Sequence, residues 1–185
     1  PQPEDLVSPA LYATLSQSST DPYNGPLEVL PCETNGSFYI GNYTAKGKQV
    51  PFPAYYLITN GIGKSQKYPL RLPVGTYNVI YWGYPDYFGT AGDAYLADPT
   101  LIIGKKLNTT SLELRKIPGD TVYYPIHSLV YGTQNINIGK DDLQAHLKHA
   151  SAALSVIVSE TNGDAFSDAI DSMWIYTVSY THLRA

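Results

Sequence analysis

Between residues 36 and 160, apolar runs end at glycine, proline, asparagine or aspartate about every eight to twelve residues. This spacing is typical of an all-β sandwich or barrel. Thr76–Trp82 is apolar or aromatic on both faces beyond Asn78, so we expect this strand to lie centrally. The strands that the pattern predicts are Ser37–Tyr43, Ala54–Thr59, Tyr68–Leu72, Thr76–Trp82, Thr100–Ile103, Ser111–Ile117, Ser128–Tyr131 and Asn135–Ile138.

The segment from Leu143 to Val158 allows two interpretations. Its first apolar residues recur at helical spacing, whereas Leu154–Val158 is β-branched and typical of a strand. We favour two strands with a kink near His149. Further on, the apolar residues of Asp164–Trp174 fall on one helical face behind an aspartate cap, which predicts one short helix near the C-terminal end.

The two ends of the chain differ from this body. Residues 1–35 are rich in proline and contain the polar run Ser16–Thr20, so we interpret them as a leader or tether. Residues 36–177 form the predicted β-sandwich. The last eight residues, 178–185, look like one reading frame of a transposase sequencing adapter. We expect this tail to be non-native and the gene to continue past Thr177.

Composition narrows the classes of function. Charged residues are 15% of the chain and apolar residues 43%, so a packed core is expected rather than a charged disordered chain. The net charge is -4 and the basic residues are scattered, so nucleic acid is not an expected partner. Tyrosine is abundant, with 17 residues against 4 phenylalanines. Tyrosine buries a ring while keeping a hydroxyl, which suits half-exposed strands and surface proteins.

Few residues suggest catalysis or metal binding, and we expect no enzyme, no cofactor and no metal site. His146 and His149 lie near Asp141 and Asp142, but on a strand two side chains three apart point to opposite faces. A metal-assisted hydrolase stays open only if both rings converge on one aspartate. The glycine-rich Gly61–Ser65 lacks the earlier glycine and the following helix of a phosphate loop, so we interpret it as a β-turn.

Aromatic residues cluster between Tyr77 and Tyr95. One interpretation is a platform that stacks sugar rings or a partner's side chains. The other, which we favour, is that strand aromatics fill the core while loop tyrosines cover its edge. The candidate ligand-stacking residues are Trp82, Tyr84, Tyr87 and Tyr95.

Three stretches together resemble the fimbrillin-like, FimB-type fimbrial subunit and anchor proteins of the Bacteroidetes surface. Leu72–Trp82 is similar to that family's strand entry, in which a Pro-x-Gly-x-Tyr motif precedes apolar residues and a tryptophan. Asp120–Gly132 is similar to its aromatic approach to a Tyr-Gly pair. Leu147–Val158 is similar to its paired apolar strands.

The resemblance implies a transthyretin-like, Greek-key β-sandwich that is exported and displayed on the outer membrane or in a fimbrium. It implies other fimbrial subunits as partners, joined by donation of a β-strand, and a role in adhesion. It also implies a lipoprotein held in the outer membrane by an upstream lipid anchor of the kind that the family often carries; Cys32, which no signal helix precedes, departs from the family's lipidated cysteine. Asp120-Thr121-Val122 matches the short O-glycosylation motif of these bacteria, which makes Thr121 a candidate glycan site.

The leading hypothesis is therefore a non-enzymatic fimbrial anchor or minor subunit on the cell surface. The alternative is an extracellular carbohydrate-binding module that uses the aromatic platform. Burial of Trp82 and its neighbouring tyrosines would count against the alternative, and a flat row of exposed rings would favour it.

Overall fold

The computed structural model describes residues 2–15, 21–34, 38–66, 68–85, 96–97, 100–107, 113–114, 116–121 and 129–150. Apart from one 3-10 turn at Pro3–Asp5, the regular structure of these residues is β-sheet, which confirms the all-β class. The strands are β1 Leu6–Val7, β2 Leu11–Leu15, β3 Gly25–Cys32, β4 Asn42–Tyr43, β5 Gln49–Val50, β6 Ala54–Thr59, β7 Ile62–Ser65, β8 Leu72–Pro73, β9 Gly75–Gly83, β10 Leu96–Ala97, β11 Glu113–Leu114, β12 Val130–Ile138 and β13 Leu143–His149.

Seven of these strands form one closed barrel in the order β12-β13-β2-β7-β6-β3-β9. The sheet closes because β12 pairs with β9 along one edge and with β13 along the other. All neighbours are antiparallel except β13 and β2, which run parallel. The predicted architecture was a sandwich of two separate sheets; the described strands instead form a continuous barrel. Every barrel strand lies in the first of the chain's two units, Pro1–Ala152.

The central position predicted for Thr76–Trp82 is confirmed. This segment belongs to β9, which pairs with β3 on one side and with β12 along its whole length on the other. Alternate residues of β9 face two different apolar clusters, which explains why it lacks a polar face. The barrel interior receives Tyr77, Val79 and Tyr81, and the outer cluster receives Ile80 and Trp82.

The first 35 residues contribute to the barrel rather than forming only a leader. They contain β2 and β3, and β3 lies between β6 and β9 with residues of both faces buried. Pro26 and Pro31 obscured this strand in the sequence, because proline cannot donate to a ladder and normally marks a strand edge or end. Here both prolines hold register positions, opposite Leu57 and Val79.

Three local expectations were wrong, one of them at Tyr68–Leu72, where only Leu72 lies in a strand. The turn expected at Gly61–Ser65 is formed by Asn60 and Gly61, with φ of 49° and 78°, and Ile62–Ser65 is strand β7. An Asn-Gly pair favours such a tight hairpin because both residues tolerate positive φ. Thr100–Ile103 is not a strand but runs into a turn. The second strand predicted after His149 and the helix at Asp164–Trp174 lie outside the described residues.

Candidate functional site

The two described members of the predicted aromatic platform are buried. Trp82 is 7% exposed and Tyr84 is 8% exposed. Trp82 packs in the outer cluster against Leu30, Cys32 and Tyr39, so its ring faces protein and offers no open surface for a sugar. Tyr87 and Tyr95 lie outside the described residues, and ligand stacking there stays a prediction.

Thr121, the candidate glycan site, is exposed. Its backbone N–H donates to Oδ1 of Asp120 at 2.6 Å, so the aspartate of the motif turns back onto the chain beside the threonine. The hydroxyl is therefore on a solvent-facing turn. Glycosylation there remains a prediction.

The two histidines of β13 are both exposed, and they lie three positions apart on the strand. Nδ1 of His146 lies 3.0 Å from Oγ1 of Thr14 on the neighbouring β2. Asp141 accepts the Asn137 N–H with Oδ2 at 3.0 Å and so caps the turn between β12 and β13. Among the described residues, no group of three His, Cys, Asp or Glu side chains is placed to hold a metal ion.

Two tyrosines pack against the barrel core and donate their hydroxyls to proline carbonyls. The Tyr23 hydroxyl donates to the carbonyl of Pro26 at 2.7 Å, and that of Tyr77 to the carbonyl of Pro73 at 2.8 Å. Burial raises the pKa of both Tyr77 and Tyr81 above the ordinary tyrosine value. The hydroxyls of Tyr77 and Tyr81 therefore keep their protons to a higher pH than an exposed tyrosine does, and both act as hydrogen-bond donors within the fold.

Cys32 is similarly placed for packing rather than reaction. Its side chain is fully buried in the outer cluster, and desolvation raises its pKa from 9.0 to about 11. A reactive cysteine needs an accessible thiolate, which this environment disfavours.

A cleft of about 390 Å³ opens beside Thr34, Ile40, Thr76 and Tyr77, with Glu33 as its carboxylate. The hydroxyl of Thr34 donates to the carbonyl of Thr76 at 2.7 Å and fixes one wall.

One polar side chain, Gln134, interrupts the inward-facing row of β12, whose other members are Val130, Gly132, Ile136 and Ile138. Its Oε1 accepts from the Tyr81 hydroxyl at 2.7 Å and from the Gln144 N–H at 2.9 Å. Its Nε2 donates to the carbonyl of Asp142 at 3.3 Å. The carboxamide thus bonds one backbone group of β13, the Gln144 N–H, and one of the residue just before it, the Asp142 carbonyl, where the direct pairing of β12 with β13 has ended.

The parallel pair β2 and β13 joins the first and last barrel strands. Its register places Leu11 beside Leu143, Ala13 beside Ala145, and Leu15 beside Leu147. The first two pairs and Leu147 are buried in the barrel interior, and Leu15 is half-buried against it. Sequence reasoning missed this pairing. The signal was present, because 11–15 and 143–147 both read Leu-x-Ala-x-Leu.

No helix of the described residues has the length and hydrophobicity to cross a bilayer. Comparison with curated proteins gave no match, and comparison with solved structures gave none. A family model does match: Mfa2, described as fimbrillin-A associated anchor proteins Mfa1 and Mfa2, over residues 4–181. This match spans nearly the whole chain, and it agrees with the resemblance found in the sequence. The chain therefore belongs to the Mfa2 family of fimbrillin-A associated anchor proteins.

Proposed function

We propose that this protein is a cell-surface fimbrial anchor or minor subunit that joins fimbrial subunits by β-strand donation. The observation that carries the proposal is the family match over residues 4–181. The described chemistry is compatible with it, because tyrosine hydroxyls and the Cys32 thiol serve packing and backbone capping.

Strand donation is favoured by elementary energetics. An extended segment that pairs with a sheet satisfies backbone N–H and C=O groups while its alternate side chains enter the core. Four buried aliphatic side chains at about 1.5–3 kcal/mol each give roughly 6–12 kcal/mol before the cost of ordering. That gross energy is sufficient for a lasting joint between subunits.

In a closed barrel, every strand edge is already covered by a neighbour. A donated strand therefore has to displace a barrel strand or pair with one of the small outer sheets. Those sheets, β1–β8, β4–β5 and β10–β11, are two residues long on each strand. Displacement within the barrel gives the longer ladder, and we favour it.

The cellular setting of the proposal is the outer membrane or fimbrium of a member of the Bacteroidetes, with a lipoprotein anchor supplied upstream and a role in adhesion. Glycosylation of Thr121 on its exposed turn would add a bulky, solvated group without disturbing the core.

The test is association of the purified full chain with a purified fimbrillin subunit, followed by size-exclusion chromatography with light scattering. We expect a stable heterodimer that survives dilution, because a displaced-strand joint dissociates slowly. An unrelated β-barrel protein of similar size and charge serves as the control. Separate elution of the two proteins at concentrations up to tens of micromolar would contradict the proposal.

A further inference from the structure

Strands β2 and β13 pair with each other more regularly than β2 pairs with β7 or β13 pairs with β12. β2 and β13 keep a continuous parallel register from Leu11–Leu143 to Leu15–Leu147. On the outer face the same register places Thr14 beside His146, which it contacts at 3.0 Å. The inner face repeats Leu, Ala and Leu on both strands, so large and small side chains lie in matched layers.

The boundary between β2 and β7 is irregular. Its register consists of a single pair, Tyr12 and Ile62. Beyond that pair, the same edge of β2 bonds to the β6–β7 turn and to the chain segment that leads into β3, not to β7. Ala13 N–H donates to the carbonyl of Gly61 at 2.9 Å, Leu15 N–H donates to that of Asp21 at 2.8 Å, and Tyr23 N–H donates to that of Ala13 at 3.1 Å. On β7 a glycine, Gly63, faces the boundary, and a Cβ there would lie 2.9 Å from Cβ of Leu11.

The boundary between β12 and β13 has the same character. Its register consists of two pairs, Val130–His149 and Tyr131–Lys148. Past these pairs a glycine again faces the boundary, because a Cβ on Gly132 would lie 2.6 Å from the carbonyl oxygen of His146. From there the Gln134 side chain replaces direct strand pairing.

The other five strands are joined by longer ladders. β12 pairs with β9 over the full length of both strands, from Val130–Gly83 to Ile138–Gly75. β9 pairs with β3 from Gly83 to Asn78, and β3 pairs with β6 from Gly25 to Val29. The β6–β7 hairpin is paired from its turn to Ser65. The barrel is thus a five-stranded curved sheet closed by a two-stranded insert.

We propose that β2 and β13 open and close together as one two-stranded flap, and that the edges of β7 and β12 beneath it accept a partner's extended segment. The flap strands are the first and last of the barrel along the chain, so they can leave without unthreading the hairpins between them. The segment that fits is one with the flap's own alternation of large, small and large apolar side chains. The acceptor role rests on the proposed function; the opening of the flap does not.

The opening is tested by hydrogen exchange with mass spectrometry on the full chain. We expect the amides of β2 and β13 to exchange at one common rate, faster than those of Gly75–Gly83. Gly132→Ala adds a Cβ that is too close to β13 and does not contact β2. It should nevertheless speed amide exchange in both strands, by roughly 5- to 150-fold. Thr133→Ala, a truncation on the exposed face of β12 beside Gly132, is the control. Faster exchange confined to β13, or spread equally to β9, would overturn the flap.

Disulfide locks test the same opening without weakening the barrel. One lock joins Tyr12→Cys to Ile62→Cys, and the other joins Tyr131→Cys to Lys148→Cys; both are register pairs with exposed side chains. Cys32 is fully buried and should not compete for pairing. Either lock should slow exchange in both flap strands. The register pair Leu57→Cys with Lys64→Cys, inside the five-stranded sheet, is the control lock.

The acceptor role is tested with a labelled synthetic peptide of residues 143–149. We expect the peptide to bind the unlocked protein slowly, at a rate set by flap opening, and not to bind either locked variant. The same peptide carrying Ala145→Asp should not bind, since its charge would enter the barrel interior. Equal binding to locked and unlocked protein, or none to either, would overturn the acceptor site. Peptide binding without binding of a fimbrillin subunit would instead count against the proposed function.

Discussion

Among the polar contacts of the barrel, loss of the Gln134 carboxamide should lower the free energy of unfolding most clearly. Its Oε1 accepts from the hydroxyl of Tyr81, whose ring is fully buried, and from the Gln144 N–H. Gln134→Leu keeps the side-chain volume but leaves the tyrosine hydroxyl without this acceptor. An unsatisfied buried donor costs about 1–3 kcal/mol, and the added apolar surface offsets only part of that.

We therefore expect Gln134→Leu to lower the free energy of unfolding by about 2 kcal/mol. For a chain of this length that corresponds to a fall in melting temperature of about 4–8 °C. The assay is urea and thermal unfolding followed by circular dichroism. Tyr81→Phe removes the orphaned hydroxyl, so the double variant should be more stable than the sum of the two single changes predicts.

The double-mutant cycle decides whether this reasoning is correct. Contacting groups that share a hydrogen bond show coupling of about 0.5–3 kcal/mol. Additive effects within about 0.3 kcal/mol would mean that the Tyr81–Gln134 bond contributes nothing. An unchanged midpoint for Gln134→Leu alone would refute the role of its carboxamide at the β12–β13 boundary.

Three other predictions concern packing, pH and the aromatic residues. Gly83→Ala would place a Cβ 2.2 Å from the carbonyl oxygen of Pro26, so we expect a loss of about 3 kcal/mol or more in urea unfolding; wild-type stability would contradict the close approach of β3 and β9. Because burial raises the pKa of Cys32 from 9.0 to about 11, the unfolded state loses its thiol proton first, and the stability present below pH 9 should fall as the pH rises to about 11. The free energy of unfolding of Cys32→Ala should fall less across that pH interval. An identical dependence on pH in the two proteins would be evidence against burial of the thiol. In a Trp174→Phe background, the fluorescence of Trp82 should resist quenching by acrylamide and should not change when oligosaccharides are added. A change of this fluorescence with added saccharide would favour the carbohydrate-binding alternative.

The sequence predicted those strands whose neighbours are close in the chain or whose faces are both apolar. Thr76–Trp82 was identified as central because nearly every residue is apolar or aromatic, and it lies between β3 and β12. Ala54–Thr59 matched the bounds of β6. In contrast, β3 was hidden by Pro26 and Pro31, because local propensity counts proline against a strand and tertiary packing overrides that preference.

The closure of the barrel could not be read from local pattern. It depends on pairing Leu11–Leu15 with Leu143–His149, strands more than a hundred residues apart that run parallel and share no turn. The candidate site shows the same limit. Alternation along β9 places Trp82 on the face opposite Tyr81, and its burial depends on the outer cluster. The partner of Gln134 is set by where β13 diverges from β12, and no residue pattern specifies either arrangement.

The central claim is that this family member engages a fimbrial subunit through backbone pairing at the barrel. The most direct measurement is hydrogen exchange of the full chain, alone and in complex with a purified fimbrillin subunit. The account predicts a strong gain of amide protection along β7 and β12, together with release of protection in both β2 and β13. A complex in which strand amides are unchanged and only loop or outer-cluster peptides gain protection would contradict it.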